Sequence, residues 1–142
     1  MTTTAYFSFD ETWSVVYVDG SQVFKHARIV GNATKSQLQT SGNTRVTSIY
    51  LAPGVTGVGN GEIGIFRDCT NLVSMTWSGI EIVGVMAFMN TPKLRSIEFP
   101  TSLKTIYQEG FSKSGLDEVA LRGSIEKIDS YAFSECPNLK KV

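Results

Sequence analysis

The chain has 142 residues with 13 basic and 13 acidic side chains, a formal net charge of zero, and only 18% charged positions against roughly 25% in an average soluble domain. That balance lacks the clustered cations on which phosphate binding and polybasic anchoring depend, so neither nucleic acid nor a membrane surface is expected as a partner. No run approaches the roughly 20 apolar residues of a membrane span. Two cysteines cannot staple a scaffold, and one histidine leaves little for a zinc site or a triad, so no cofactor, metal or catalytic residue is expected.

The first ten residues, MTTTAYFSFD, lack the basic and apolar regions of a signal peptide, which favours the cytoplasm over a surface or secreted location. Residues 12–18 and 21–24 flank Asp19-Gly20, a two-residue hairpin signal. Pairing across that turn puts Trp13, Val15, Tyr17 and Phe24 on one face, with Val16, Val18 and Val23 on the other. A terminal repeat needs a cover, and this aromatic face supplies one. The hairpin therefore reads as an N-terminal cap, with a separate binding element as the alternative. Residues 31–45 are polar, with Leu38 their only large apolar residue, and read as a loop or linker. Asn32-Ala33-Thr34 is a glycosylation sequon that matters only in a secreted chain.

From residue 46 the sequence is periodic. Phenylalanines stand at Phe66, Phe88, Phe111 and Phe133, and leucines follow at Leu72, Leu94, Leu116 and Leu139, every 22 or 23 residues. The units are 46–72, 73–94, 95–116 and 117–139, with 140–142 opening a fifth. Each begins with an alternating stretch of strand period, such as Ser74-Met75-Thr76-Trp77. A turn follows, then an apolar pair three apart (Val55/Val58, Ile80/Val83, Leu103/Ile106, Ile125/Ile128), then the Phe. In the first unit Gly59-Asn60-Gly61 looks inserted. A unit this short cannot bury its own apolar positions, and stacked copies can, which predicts a solenoid.

The stretches ending "Ile-Tyr-Gln-Glu-Gly-Phe-Ser-Lys-Ser-Gly-Leu" and "Ile-Asp-Ser-Tyr-Ala-Phe-Ser-Glu-Cys-Pro-Asn-Leu" resemble the BspA-type leucine-rich repeat over residues 46–142. Past the first unit the family Gly after the second Ile survives only as Gly84, and the Cys column reads Cys69, Thr91, Ser114, Cys136. The resemblance implies an α/β repeat solenoid, right-handed, with about four repeats of 22–26 residues behind the hairpin cap. It also implies protein recognition, with adhesin-like use in some members.

The outward strand positions form the candidate protein-binding face: Ser48, Tyr50, Ser74, Thr76, Ser96, Glu98, Glu118 and Ala120. The alternative is a structural subunit or segment of a larger assembly, self-associating through a solenoid end made of Phe133, Leu139 and Val142. The uncovered last rung would expose core, so further repeats or a second chain are expected to cover it. Glu81, Lys104 and Glu126 should line up on successive rungs. Gly59-x-Gly61-x-x-Gly64 matches a dinucleotide fingerprint by letter and lacks its strand-to-helix context. Cys69 and Cys136 fall three rungs apart, about 14 Å at strand spacing, beyond the roughly 7 Å limit of a disulfide. They read as free thiols. His26 reads as a surface or cap residue.

Overall fold

The first two repeat units spend both apolar stretches on strands, the third and fourth only the second stretch, and all four spend the Phe segment on turns. The computed structural model describes residues 13–123 and 125–140. In chain order the elements are β1 (Val15–Asp19), β2 (Gln22–His26), β3 (Gly31–Ala33), α1 (Lys35–Leu38), β4 (Val46–Leu51) and β5 (Val55–Ile63). β6 (Ser74–Thr76), β7 (Ile82–Val85), β8 (Thr105–Ile106) and β9 (Lys127–Ile128) follow. They form two sheets, ordered β2-β1-β4-β6 and β3-β5-β7-β8-β9. The second is parallel throughout, as stacked repeats demand.

The expected α/β class is corrected to a β-solenoid of about four turns. Among the described residues the one helix is the single turn α1, placed ahead of the repeats. The Phe segments carry left-handed residues four apart: Gly64 and Asp68, Met86 and Asn90, Glu109 and Lys113, Tyr131 and Glu135, with φ from 53° to 73°. A right-handed helix cannot run through two such residues in five. What the conformation supplies instead is a ladder along the stack. Met86, Phe88 and Asn90 donate their N–H groups to the carbonyls of Gln108, Gly110 and Ser112 at 2.8–2.9 Å. Gly64, Phe66 and Asp68 do the same to Val85, Ala87 and Met89, and Glu109, Phe111 and Lys113 to Ser130, Ala132 and Ser134.

Inside this ladder the Phe rings stack. Centroids are 5.2 Å apart for Phe66–Phe88, 5.1 Å for Phe88–Phe111 and 5.6 Å for Phe111–Phe133. Trp77 and Phe99, from the opposite strand face, meet these rings edge-on at 5.4–6.4 Å. Such pairs are worth roughly 0.5–1.5 kcal/mol beyond the area they bury. Val46, Leu72, Leu94 and Leu116 complete a fully buried column.

The hairpin lies antiparallel on β4, with Val15 opposite Leu51 and Tyr17 opposite Ile49. Its loop is Gly20-Ser21, one residue later than expected, because Asp19 pairs with Gln22. Gly20, at φ 62°, takes the first loop position that disfavours a side chain. The shift moves each pairing by two residues and so preserves the face assignments. Tyr17 stacks on Phe24 at 5.2 Å. Residue 12, the expected start of the first strand, lies outside the described residues.

The polar stretch 31–45 is not bare loop. β3 pairs in parallel with β5, Ala33 opposite Val58, and Thr34 caps α1 in a capping box with Gln37. Thr40 donates its hydroxyl to the Ile65 carbonyl and Gly42 its N–H to the Arg67 carbonyl, so this segment forms a rung ahead of the first Phe. The extra residues of the first unit form a bulge in β5. Val83 pairs with Val58 and Val85 with Ile63, leaving Gly84 alone opposite the surplus. A Cβ at Gly84 would overlap the Gly59 carbonyl oxygen, so a residue without Cβ is required beside the bulge.

Two substitutions test this packing. Phe88→Ala removes the centre of the aromatic column and should cost about 3–5 kcal/mol in urea unfolding. Gly84→Ala should cost about 1–3 kcal/mol, because the obstructing atoms are backbone.

Candidate functional site

Alternation along the chain turns Ile49, Met75, Ile97 and Val119 inward and sends their neighbours out; the expected strands form at β4 and β6, whereas 96–99 and 118–121 are not strands. Two outward rows result: Ser48, Ser74, Ser96 and Glu118, beside Tyr50, Thr76, Glu98 and Ala120. Ser48 and Tyr50 are half-buried and the other six are exposed. The first two rungs are locked in register, Ser48 opposite Ser74 and Tyr50 opposite Thr76, and the two serine hydroxyls lie 2.9 Å apart.

Past β6 the strand ladder changes. The Trp77 indole Nε1 donates to the Glu98 carbonyl at 2.6 Å, a side-chain bond between rungs where the first two rungs pair as strands. A cleft of about 130 Å³ opens here, lined among others by Ser96, Glu98, Phe99, Asp117, Glu118 and Arg122. Candidate residues of both rows thus meet along one shallow groove with three carboxylates and one guanidinium. The cleft was not legible in the sequence. Trp77 stands where its repeats place Phe99 and Leu121, and its extra N–H was the one available signal.

At the solenoid end, Phe133 and Leu139 are partly buried against the core and border an open hollow of about 560 Å³ with Glu135, Cys136 and Pro137. Ile128 is 45% exposed. Val142, the third residue expected there, lies outside the described residues.

The remaining singled-out residues have structural surroundings. Gly59 and Gly61 sit in the β5 bulge and Gly64 opens a turn, so the fingerprint letters precede turns and not a helix. Asn32 spans the bulge with its carboxamide, accepting from the Asn60 N–H at 2.8 Å and donating to the Asn60 carbonyl at 3.1 Å. Glu81, Lys104 and Glu126 are joined through backbone bonds at 2.8 Å on successive rungs. Among the described residues their side chains form no ion pair. The His26 Nε2 is buried without a hydrogen-bond partner, and burial lowers the imidazole pKa. Its ring stacks on Tyr17 at 5.6 Å.

Cys69 and Cys136 are free thiols within one column of small donors. Cys69 donates to the Thr40 carbonyl at 3.1 Å, Thr91 to the Phe88 carbonyl at 2.8 Å and Cys136 to the Phe111 carbonyl at 3.2 Å. Any short side chain with one donor serves here, which is why the column varies among Cys, Thr and Ser. Burial, with Asp68 adding to it, outweighs a bond from the Asn43 backbone and pushes the Cys69 thiol up to about 12.

Residues 40–142 match the model of the BspA type leucine rich repeat region, in six copies. Among solved structures, a leucine rich repeat protein of T. pallidum is 31% identical, with a TM-score of 0.70 over 80% of this chain and 51% of that one. A leucine-rich repeat protein of Bacteroides ovatus is 23% identical with a TM-score of 0.70, covering 89% of this chain and 31% of that one. A leucine rich cell surface protein of Faecalibacterium prausnitzii is 14% identical with a TM-score of 0.52, covering 88% and 44%. The chain therefore spans between about a third and a half of these solved chains. A search of the curated proteins finds no match.

The two thiols should differ in reactivity. At pH 8 about one Cys69 in 10,000 is thiolate, from a thiol pushed up to about 12. An aromatic disulfide reagent should modify Cys136 in the native chain and Cys69 only as the chain unfolds. Two equally fast thiols would contradict the column.

Proposed function

The chain belongs to the BspA-type leucine-rich repeat family, and from that premise we propose that it is a noncatalytic protein-interaction module recognising its partner through the strand face. The observation that carries this reading is the groove along Ser96, Glu98, Glu118 and Ala120, continuous with the serine and threonine rows of the first two rungs. Its side chains are short or exposed, while the inward residues between them are fixed by the core. A partner would therefore meet a pre-organised surface and lose little affinity to ordering it. The acidic rim favours a partner segment carrying Lys or Arg. The hairpin is the cap of the first rung in this reading, supported by the pairing of β1 with β4. Adhesin-like use is the form of this role suggested by the family resemblance.

A second reading, a structural segment of a larger assembly, is supported by the partly exposed Phe133 and Leu139 at the last rung.

The test is partner capture with the wild-type chain and with a Tyr50→Ala, Thr76→Ala, Glu98→Ala triple variant. A partner retained by the wild type should be weakened at least tenfold by the variant, with the urea midpoint nearly unchanged. Equal retention by both would remove the strand face as the binding surface.

A further inference from the structure

The one Asn-Gly step of the chain, Asn60-Gly61, stands within the surplus of the β5 bulge. Both residues are exposed, and neither has a partner in the strand registers. β3 follows β5 only as far as Val58, and β7 skips from Val58 to Ile63. Gly61 sits at φ 84°, with nothing within 4 Å of where a Cβ would stand. Among the described residues the Asn60 carboxamide makes no hydrogen bond, because both contacts from Asn32 go to the Asn60 main chain. The other asparagines are placed differently. Asn32, Asn43, Asn71 and Asn90 commit their carboxamides to hydrogen bonds. These four and Asn138 are each followed by a residue whose own Cβ crowds its main-chain nitrogen, which a glycine does not do.

We propose that Asn60 is a self-modifying position, converted without an enzyme to aspartate and isoaspartate, and that Asn32 is the positioning residue that restrains it. The Gly61 main-chain nitrogen attacks the Asn60 Cγ. A C–N bond forms, the Cγ–Nδ2 bond breaks, and the Gly61 amide proton leaves with Nδ2 as ammonia. A five-membered imide remains. Water opens it at Cγ to give aspartate, or at the Asn60 main-chain carbonyl carbon to give isoaspartate, in which the chain runs through Cβ and Cγ. Nothing is oxidised or reduced. The attack needs rotation about the Asn60 main chain, and the Asn32 carboxamide holds that main chain at both ends, its N–H at 2.8 Å and its carbonyl at 3.1 Å. Isoaspartate adds a backbone carbon and a carboxylate to the bulge. The two groups that Asn32 grips then fall out of step, and the Gly59 carbonyl loses its fixed place against Gly84. The modified chain therefore keeps its columns and loses the fit between its first two rungs.

The experiment ages the full folded chain in mildly alkaline buffer and then digests it briefly with trypsin under mildly acidic conditions. Trypsin releases residues 46–67 as one peptide, in which Asn60 is the only Asn or Gln. The peptides 29–35, holding Asn32, and 68–93, holding Asn71 and Asn90, serve as internal references. Conversion is read by mass spectrometry as a gain of about one mass unit, and isoaspartate by methyl transfer from a protein isoaspartate methyltransferase. The 46–67 peptide should convert at least tenfold faster than either reference and take up methyl groups. Asn32→Ala should raise its rate at least threefold, and Asn32→Asp, which keeps the acceptor and loses the donor, should fall between the two. Ageing should lower the urea midpoint of the wild-type chain and spare that of Asn60→Gln, whose main chain Asn32 still grips. Conversion of 46–67 no faster than the references would overturn the proposal. An unchanged rate in both Asn32 variants would remove the restraint, and equal loss of midpoint in the wild type and Asn60→Gln would remove the structural consequence.

Discussion

The row of parallel N–H groups along the Phe turns is the constraint on which the rest of the molecule depends. It requires left-handed residues four apart in every Phe rung, and these exclude a helix on that side. It also fixes each rung directly over the last, which brings the Phe rings to 5.1–5.6 Å and lets Trp77 and Phe99 pack edge-on against them. Buried backbone groups must be paired, and those that the turns within a unit leave open are paired along the stack. Hydrogen bonding and aromatic packing therefore enforce the same spacing.

Much of this was legible from the residues. Two anchors in step at 22 or 23 residues define a rung, and apolar alternation separates inward from outward side chains without any coordinates. The absence of helix from the described residues of the repeats was less legible. The left-handed positions are filled by Met86, Asn90, Glu109, Lys113, Tyr131 and Glu135, most of which carry no local preference for that conformation. Stacking imposes it on them. The rung ahead of the first Phe was hidden for a related reason: its column position holds Thr40, whose hydroxyl donates to the carbonyl of Ile65. Leu38, buried in a polar stretch, was the trace it left.

The candidate face was legible as positions and not as a shape. Alternation assigns Ser48 to Ala120 outward, but the cleft lies where one indole bonds the Glu98 carbonyl, a contact between rungs. Recognition surfaces on repeat scaffolds have this character generally. The framework is set by the shared columns, and the individuality by the residues that depart from them.

The bulge in β5 bears on how the chain finds its fold. Near-identical rungs invite slippage, in which one repeat pairs with the wrong neighbour and the ladder closes with a rung looped out. The surplus residues around Gly59 fit only where Asn32 clasps Asn60 on one side and a residue without Cβ, Gly84, stands on the other. Tyr107 and Asp129, at the corresponding positions of later rungs, would collide with the same carbonyl. One interface is thereby keyed, as a lock is to its key, and once it has closed the remaining repeats can be counted off from it without error.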